Sequence, residues 1–138
     1  LELITIILLL GILSTFVLGR AGGDFKAMRD GEELLLAIRY TQERAMHHTG
    51  DGQSYQISIS GGSYSLQPAV AALYAQSLDG VLAGSSISPT GVIAFDGRGR
   101  PLCSGGLACS VATQTINVSA DGDTALLTLQ PYTGYVSR

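Results

Sequence analysis

A long N-terminal helix laid across a small antiparallel sheet, an α+β fold, is what this sequence predicts. Three observations carry the prediction. An almost unbroken apolar run, LELITIILLLGILSTFVLGR, opens the chain, and a segment with helical apolar spacing follows it. After residue 51 the pattern changes to period-two alternation. Glycine-rich turn signals separate the alternating stretches. The chain divides accordingly into a hydrophobic helix over 1–20, an amphipathic helix over 21–50 and an antiparallel β domain over 51–138. Its 138 residues leave room for one compact domain beside the apolar segment.

The apolar segment comes first. From Leu3 to Leu18 every residue is apolar except Thr5, Gly11, Ser14 and Thr15. As a helix rising ~1.5 Å per residue, this run covers about 24 Å, slightly short of a hydrocarbon core of ~30 Å that a few residues upstream would complete. A cleaved secretory signal is disfavoured, because there is no basic region before the run and no A-x-A site after it. An ordinary membrane anchor leaves Glu2 unexplained. A carboxylate among apolar groups costs several kcal/mol unless it is paired or lies at the interface. Glu2 therefore calls for a cationic partner, and the nearest is an α-amino group freed by cleavage just upstream. Gly11 and Gly19 each weaken the helix by ~1 kcal/mol relative to alanine. Local melting is expected between them or at Gly22-Gly23.

DFKAMRDGEELLLAIRYTQERAMHH reads as an amphipathic helix. Phe25, Met28, Leu35, Ile38, Ala45 and Met46 fall near one face. Asp24 is placed to cap its start and Gly50 to end it. Leu34, Leu35 and Leu36 widen the stripe, so that more than one surface is covered. Arg39, Glu43 and Arg44 form a solvated or intersubunit face.

The strands follow. SYQISIS alternates Tyr55, Ile57 and Ile59; Gly61-Gly62 signals a hairpin, and SYSLQ returns with Tyr64 and Leu66. PAVAALYAQSLDGVLAG fits a short helix or a loop with an edge strand equally well. GVIAFD is a short buried strand turned by DGRGRP. SVATQTINVSA is another, Asp121-Gly122 makes a turn, and TALLTLQPYTGYVSR closes the chain as a last strand or pair. Roughly five or six antiparallel strands result.

Composition excludes several function classes. The chain is 46% hydrophobic and only 14% charged, with 18 glycines, a pattern more typical of an extracellular domain than of a cytosolic enzyme. A net charge of -3 gives no electrostatic basis for binding nucleic acid. Beyond residue 84, Arg98, Arg100 and Arg138 balance Asp96, Asp121 and Asp123. Cys103 and Cys109, in CSGGLAC, have no CxxC or Cys/His set beside them, which argues against a metal site. A small disulfide loop formed in an oxidising compartment, pinning a local turn, is the better reading.

Candidate chemistry is thin. Adjacent His47 and His48 point to different faces of a helix and are poorly placed to chelate one ion, so interaction with the helix C-terminus is favoured. Asp121 and Asp123 do not meet the spacing of a calcium loop, which supplies six to eight oxygens, and read as a turn. Gly97, Arg98, Gly99 and Arg100 lack the G-x-x-x-x-G-K-[ST] pattern of a phosphate loop and read as a surface turn. There is no G-x-S-x-G elbow and no other constellation that would carry a reaction. Neither an enzyme nor a cofactor is expected.

Leu1-Glu2-Leu3, followed by an apolar run containing Leu-Gly-Ile-Leu, resembles the N-terminus of type IV pilins and type II secretion pseudopilins. In that family a peptidase cuts before a Phe or Met that is then N-methylated, and the chain continues Thr-Leu-x-Glu-Leu. The resemblance implies that Glu2 pairs with the amino terminus of an adjacent subunit as the helix leaves the membrane and enters a filament. Many pilins carry a helix-bending proline near the end of this run, where this chain has Gly19. RYTQERA in the helix, FDGRGRP and the ending TLQPYTGYV are similar to segments of H-type pseudopilins and of minor pilins of the mannose-sensitive haemagglutinin (MSHA) type.

The resemblance implies a pilin fold, an inner-membrane stage with a periplasmic domain, and then an extracellular filament. Its partners would be other pilin subunits joined through the N-terminal helix, the prepilin peptidase and the pilus assembly platform. The function expected is that of a structural subunit, a minor pilin, supporting pilus biogenesis, adhesion or motility. The alternatives are a pseudopilin of a secretion system and a membrane-tethered extracytoplasmic binding or adhesin domain in which Glu2 is incidental.

Overall fold

The computed structural model describes residues 1–48, 50, 54–67, 80–82, 84–109 and 111–138, with backbone alone at 17–25 and 80–81. The ambiguous stretch from Pro68 to Gly84 lies largely outside them. One helix, α1 (Glu2–His47), runs for 46 residues, about 69 Å at ~1.5 Å per residue. The expected melting near Gly11–Gly19 or at Gly22-Gly23 does not occur, and Asp24 lies inside the helix instead of capping a second one. A lone glycine removes no backbone donor or acceptor, so the hydrogen-bond ladder continues through it. The helix closes with His48 N–H donating to Arg44 O at 3.0 Å. Gly50 then takes φ 128°, a conformation glycine tolerates best.

From Ala27 onward α1 is amphipathic. Ala27, Leu34, Ile38 and Ala45 form its buried stripe, with the polar Asp30 and Thr41 inside it. Leu35 is buried as the sequence implies, but Met28 and Met46 are 43% and 44% exposed. They sit about 110° round the helix from the centre of the stripe, at the margin of its contact with the β-domain, where each is only partly covered. Leu36 is on the opposite face and exposed. The Phe25 side chain lies outside the described residues.

The described residues form nine strands in two antiparallel sheets, more than the five or six expected. In the first sheet β1 (Tyr55–Ser60) lies between β2 (Ser63–Gln67) and β5 (Gly91–Phe95), with β3 (Gly80–Val81) outside β2 and β6 (Pro101–Gly105) outside β5. In the second, β7 (Gln114–Ala120) and β8 (Asp123–Leu129) are central, flanked by β4 (Ser85–Ser88) and β9 (Val136–Ser137). The unforeseen strands are β4 and β6, both edges, short and without clear apolar alternation, whereas β3 is an edge strand in the stretch that fitted a helix or a loop with an edge strand equally well. The hairpin tip ties the sheets together, since Gly61 O accepts from Ile87 N–H and Gly62 O from Leu82 N–H.

Alternation sets the core. Ile57, Ile93, Ile116, Val118, Leu127 and Leu129 are fully enclosed beneath Leu34 and Ile38. The helix packs across both sheets, on β7, β8 and β9 and on β1, β2 and β5. It approaches β8 closely at Gly31, where an added Cβ would stand 2.9 Å from the Ala125 Cβ. Glycine is required there because two backbone elements cross with no room for a side chain between them.

Candidate functional site

All of residues 1–16 are exposed, with no packing of their side chains against the domain among the described residues. Eleven large apolar side chains between Leu1 and Phe16 are exposed, among them Leu3 and Phe16 at 72% each. Fully burying a side chain of this size is worth about 1.5–3 kcal/mol, and these are already partly shielded by their own helix. Their combined burial against a partner is on the order of 15 kcal/mol. A contiguous apolar surface of this extent marks a site of association, since soluble monomers rarely carry one. Glu2 stands at its tip, exposed and without an ion-pair partner among the described residues. Gly11 has open space around it, with nothing within 4 Å of an added Cβ. At Gly19 only the helical backbone is described. Among the described residues no helix is long and apolar enough to cross a membrane.

At the other end of α1 three separate sequence motifs converge on one side chain. Gln42, from RYTQERA, donates through Nε2 to Gly99 O in the DGRGRP turn and to Thr133 O in the PYTGY segment, both at 2.8 Å. Gly99 and Gly134 pack against it with φ of 76° and 66°. A Cβ on Gly99 would lie 2.9 Å from Met46 Sδ, and one on Gly134 would collide with Gly99 O. Arg39 reinforces the junction by donating to Val136 O at 2.9 Å, its guanidinium 5.7 Å from the Tyr135 ring. Arg44 lies over the Tyr55 and Tyr40 rings. Arg39, which is exposed as expected, and Arg44, which is half-buried, also brace the domain from that face. Long stems with a planar cationic head pack well on aromatic faces. Glu43 does stay exposed, 3.8 Å from His47.

The DGRGRP turn is built around Asp96. Its Oδ1 accepts from Arg98 N–H at 2.9 Å and Arg100 N–H at 2.8 Å, and its Oδ2 from Arg100 Nε at 2.8 Å. Burial pushes the Asp96 carboxyl up. The bonds from the Arg100 amide, the Arg100 guanidinium and the Arg98 amide, together with the Arg100 charge, outweigh this and hold it below its ordinary value. The Gly97–Arg100 stretch is thus occupied in closing the β5–β6 hairpin.

A second polar tie fixes the helix to β4. Asp30, buried on the core side, accepts from Ser85 Oγ at 2.6 Å, with Arg29 Nη2 3.5 Å away.

Cys103 and Cys109 are joined, their Cα atoms 5.6 Å apart, and Cys109 is fully buried. The bond folds the chain after β6 back onto the sheet and seats Leu107 in the core. His48 stacks on Tyr55 with ring centroids 5.6 Å apart. Asp121 and Gly122 take φ of 52° and 92°, the primed turn that suits a two-residue hairpin. Asp123 begins β8 beside it. Among the described residues no three His, Cys, Asp or Glu side chains converge as a metal site would need. An open groove lies between Ala27 and Met28 of the helix and the start of β8, with Arg138 at its wall. Arg138 is bonded there to Glu32 at 3.0 Å.

The structure thus separates the predicted residues. Glu2 and Gly11 lie on the projecting helix, whereas Cys103 and Cys109 belong to the domain, and none of them share a pocket. Comparison with protein-family models, with curated proteins and with solved structures finds no match in any of the three. The residue that sequence reasoning missed is Gln42. Its available signal was indirect: an amide at a half-buried helix position, and two distant glycine turns each in need of a carbonyl partner.

Proposed function

We propose that this chain is a structural subunit of a type IV pilus or related filament, a pilin-like protein of the minor-pilin or pseudopilin kind, with no catalytic role. The observation that carries the reading is the projecting start of α1, to Phe16: an apolar helix with Glu2 at its tip and nothing among the described residues to cover it. Such a helix needs an apolar environment. A bilayer would supply it before assembly, and a bundle of neighbouring helices afterwards. Association of macromolecules must overcome roughly 4–15 kcal/mol of lost freedom, and burial on the order of 15 kcal/mol is enough to do so. In that bundle Glu2 sets the register by pairing with the amino terminus of the adjacent subunit, because a carboxylate among apolar groups must be neutralised. The sheets and the Gln42 junction form the outward domain.

The α+β architecture and the convergence of the RYTQ, DGRG and PYTG segments on one junction support a pilin fold. The uncovered helix equally supports a membrane-tethered binding domain that does not polymerise, and Glu2 separates the two readings. Glu2→Ala should lower the share of the chain recovered in sheared filaments by at least about tenfold, corresponding to ~1.4 kcal/mol of lost pairing. The domain should melt unchanged. Wild-type incorporation of the variant would remove Glu2 from the assembly role.

A further inference from the structure

One flank of α1 grips the end of the chain step by step, and then runs on past it. Gln42 donates to Thr133 O, Arg39 donates to Val136 O, and Glu32 accepts from Arg138. One turn nearer the N-terminus on this flank is Met28, 43% exposed. β8 outruns β9 in the same direction. β7 pairs with β8 along its whole length, Asp123–Leu129, whereas β9 pairs only with Thr128 and Leu129. One more step of the β9 register sets Arg138 beside Leu127. Residues 123–126 are left with no strand on that side among the described residues. The space between this bare edge and the helix is the open groove, about 440 Å³, walled by Ala27, Met28 and Arg138.

The backbone of that edge is a half-finished ladder. Gln130 N–H donates to Tyr135 O at 2.9 Å. Hydrogen-bonded positions alternate along an antiparallel pair, so Thr128, Leu126 and Thr124 turn their N–H and C=O the same way. At Leu126 and Thr124 these two donors and two acceptors face the groove with no strand opposite. The side chains of Thr124 and Leu126 point outward and are exposed. Ala125 between them points inward, buried beside Gly31 of α1.

We propose that this slot receives a β-strand from a partner protein, an extended segment of about four residues, ~13 Å long, that continues the line of β9 antiparallel to β8. The inference stands on the sheet edge alone and does not depend on filament assembly. Strand residues opposite Leu126 and Thr124 exchange backbone bonds with them. The residue between these two, opposite Ala125, turns inward onto Ala27 and Met28. That position suits a medium-sized apolar side chain, and the unbranched Met28 thioether adapts to its shape. Backbone pairing supplies the affinity, and the inward position supplies the selectivity. A second copy offers no such strand among its described residues. Its β3 and β9 are two residues long, β4 is tied to the β1–β2 hairpin through Ile87 N–H, and β6 opens with Pro101, which has no N–H to donate.

The test uses the full chain in detergent micelles and a synthetic peptide that alternates threonine with valine. Two further peptides carry N-methyl groups on their threonines or on their valines. Amide hydrogen exchange at Thr124 and Leu126 of the wild-type chain should slow when the unmethylated peptide is added at millimolar concentration, with β6 unchanged. With valine turned inward, the threonine amides face β8 and the valine amides face away. Threonine methylation should therefore weaken binding by at least about tenfold, and valine methylation should leave it within about twofold. Leu126→Pro removes a donor that faces the slot and none that faces β7, and should also weaken binding by at least about tenfold. Leu36→Ala, on the opposite face of α1, should leave it unchanged. Exchange at Thr124 and Leu126 unaltered by the peptide would overturn the proposal, as would equal affinity for the two methylated peptides or protection at β6 instead. Protection of Thr124 and Leu126 that rises with the concentration of the chain alone would make a second copy the occupant, and would overturn it too.

Discussion

Replacing Gln42 by alanine should destabilise the domain by about 2 kcal/mol. The amide makes two bonds of 2.8 Å, to Gly99 O and Thr133 O, and the two differ in their surroundings. Gly99 is buried, with Met46 Sδ close against it, so water has no room to replace the lost donor. That loss is worth about 1.5 kcal/mol, the upper part of the range for a net hydrogen bond. Thr133 is exposed, water substitutes there, and its loss is worth about 0.5 kcal/mol. For a domain of this size the melting temperature should fall by about 7 °C. Gln42→Glu keeps the shape but presents a carboxylate to two carbonyl oxygens, and should cost more than the alanine change. Urea and thermal melts of the detergent-solubilised chain measure both. Gln56→Ala is the control, since its amide bonds Gln67 Oε1 on the surface, and it should shift stability by less than about 0.5 kcal/mol. A Gln42→Ala protein as stable as the control, or a Gln42→Glu protein as stable as wild type, would refute the reasoning.

Asp96 and Gly31 provide two further checks. Asp96 has a lowered pKa in the folded chain, so its contribution is present above the unfolded carboxyl value of ~3.9 and is lost as pH falls through the folded value. Asp96→Asn should flatten the acid limb of a stability–pH curve and leave its neutral-to-basic limb parallel to wild type. Gly31→Ala gains about 1 kcal/mol of helix propensity but forces its Cβ to 2.9 Å from Ala125 Cβ. Overpacking of this kind costs about 1–3 kcal/mol, so chemical denaturation should show a net loss near 1 kcal/mol. Ala125→Gly in the same chain should recover part of that loss, and a stabilising Gly31→Ala would contradict the close crossing.

The parts of this fold legible in the sequence were those written in periodicity. Tyr55, Ile57 and Ile59 alternate, and so do Ile116 and Val118, and all five face the core. Turns were equally clear where glycine or aspartate must take an unusual backbone angle, as at Asp121-Gly122. What escaped was set by tertiary contact. β4 reads SSIS, and only its register beside β7 makes it a strand. Met28 and Met46 match helical spacing, yet the sheets reach only one side of the helix. Arg39 looks like a surface charge until the chain end arrives beneath it, 97 residues later in sequence. Glu2 was conspicuous because a charge at the head of an apolar run conflicts with its surroundings, a conflict that needs no structure to see.

The exposed start of α1, to Phe16, is the centre of the account, and its accessibility inside filaments tests it most directly. A cysteine at Leu9, on the projecting segment, can be offered a polar maleimide in sheared filaments and again in the isolated chain. The account predicts that the chain is present in the filament fraction, with the Leu9 position blocked there and reactive in the isolated chain. A cysteine at Thr115, on the outward sheet, should react in both. A Leu9 position as reactive in filaments as Thr115, or a chain missing from the filament fraction altogether, would contradict it.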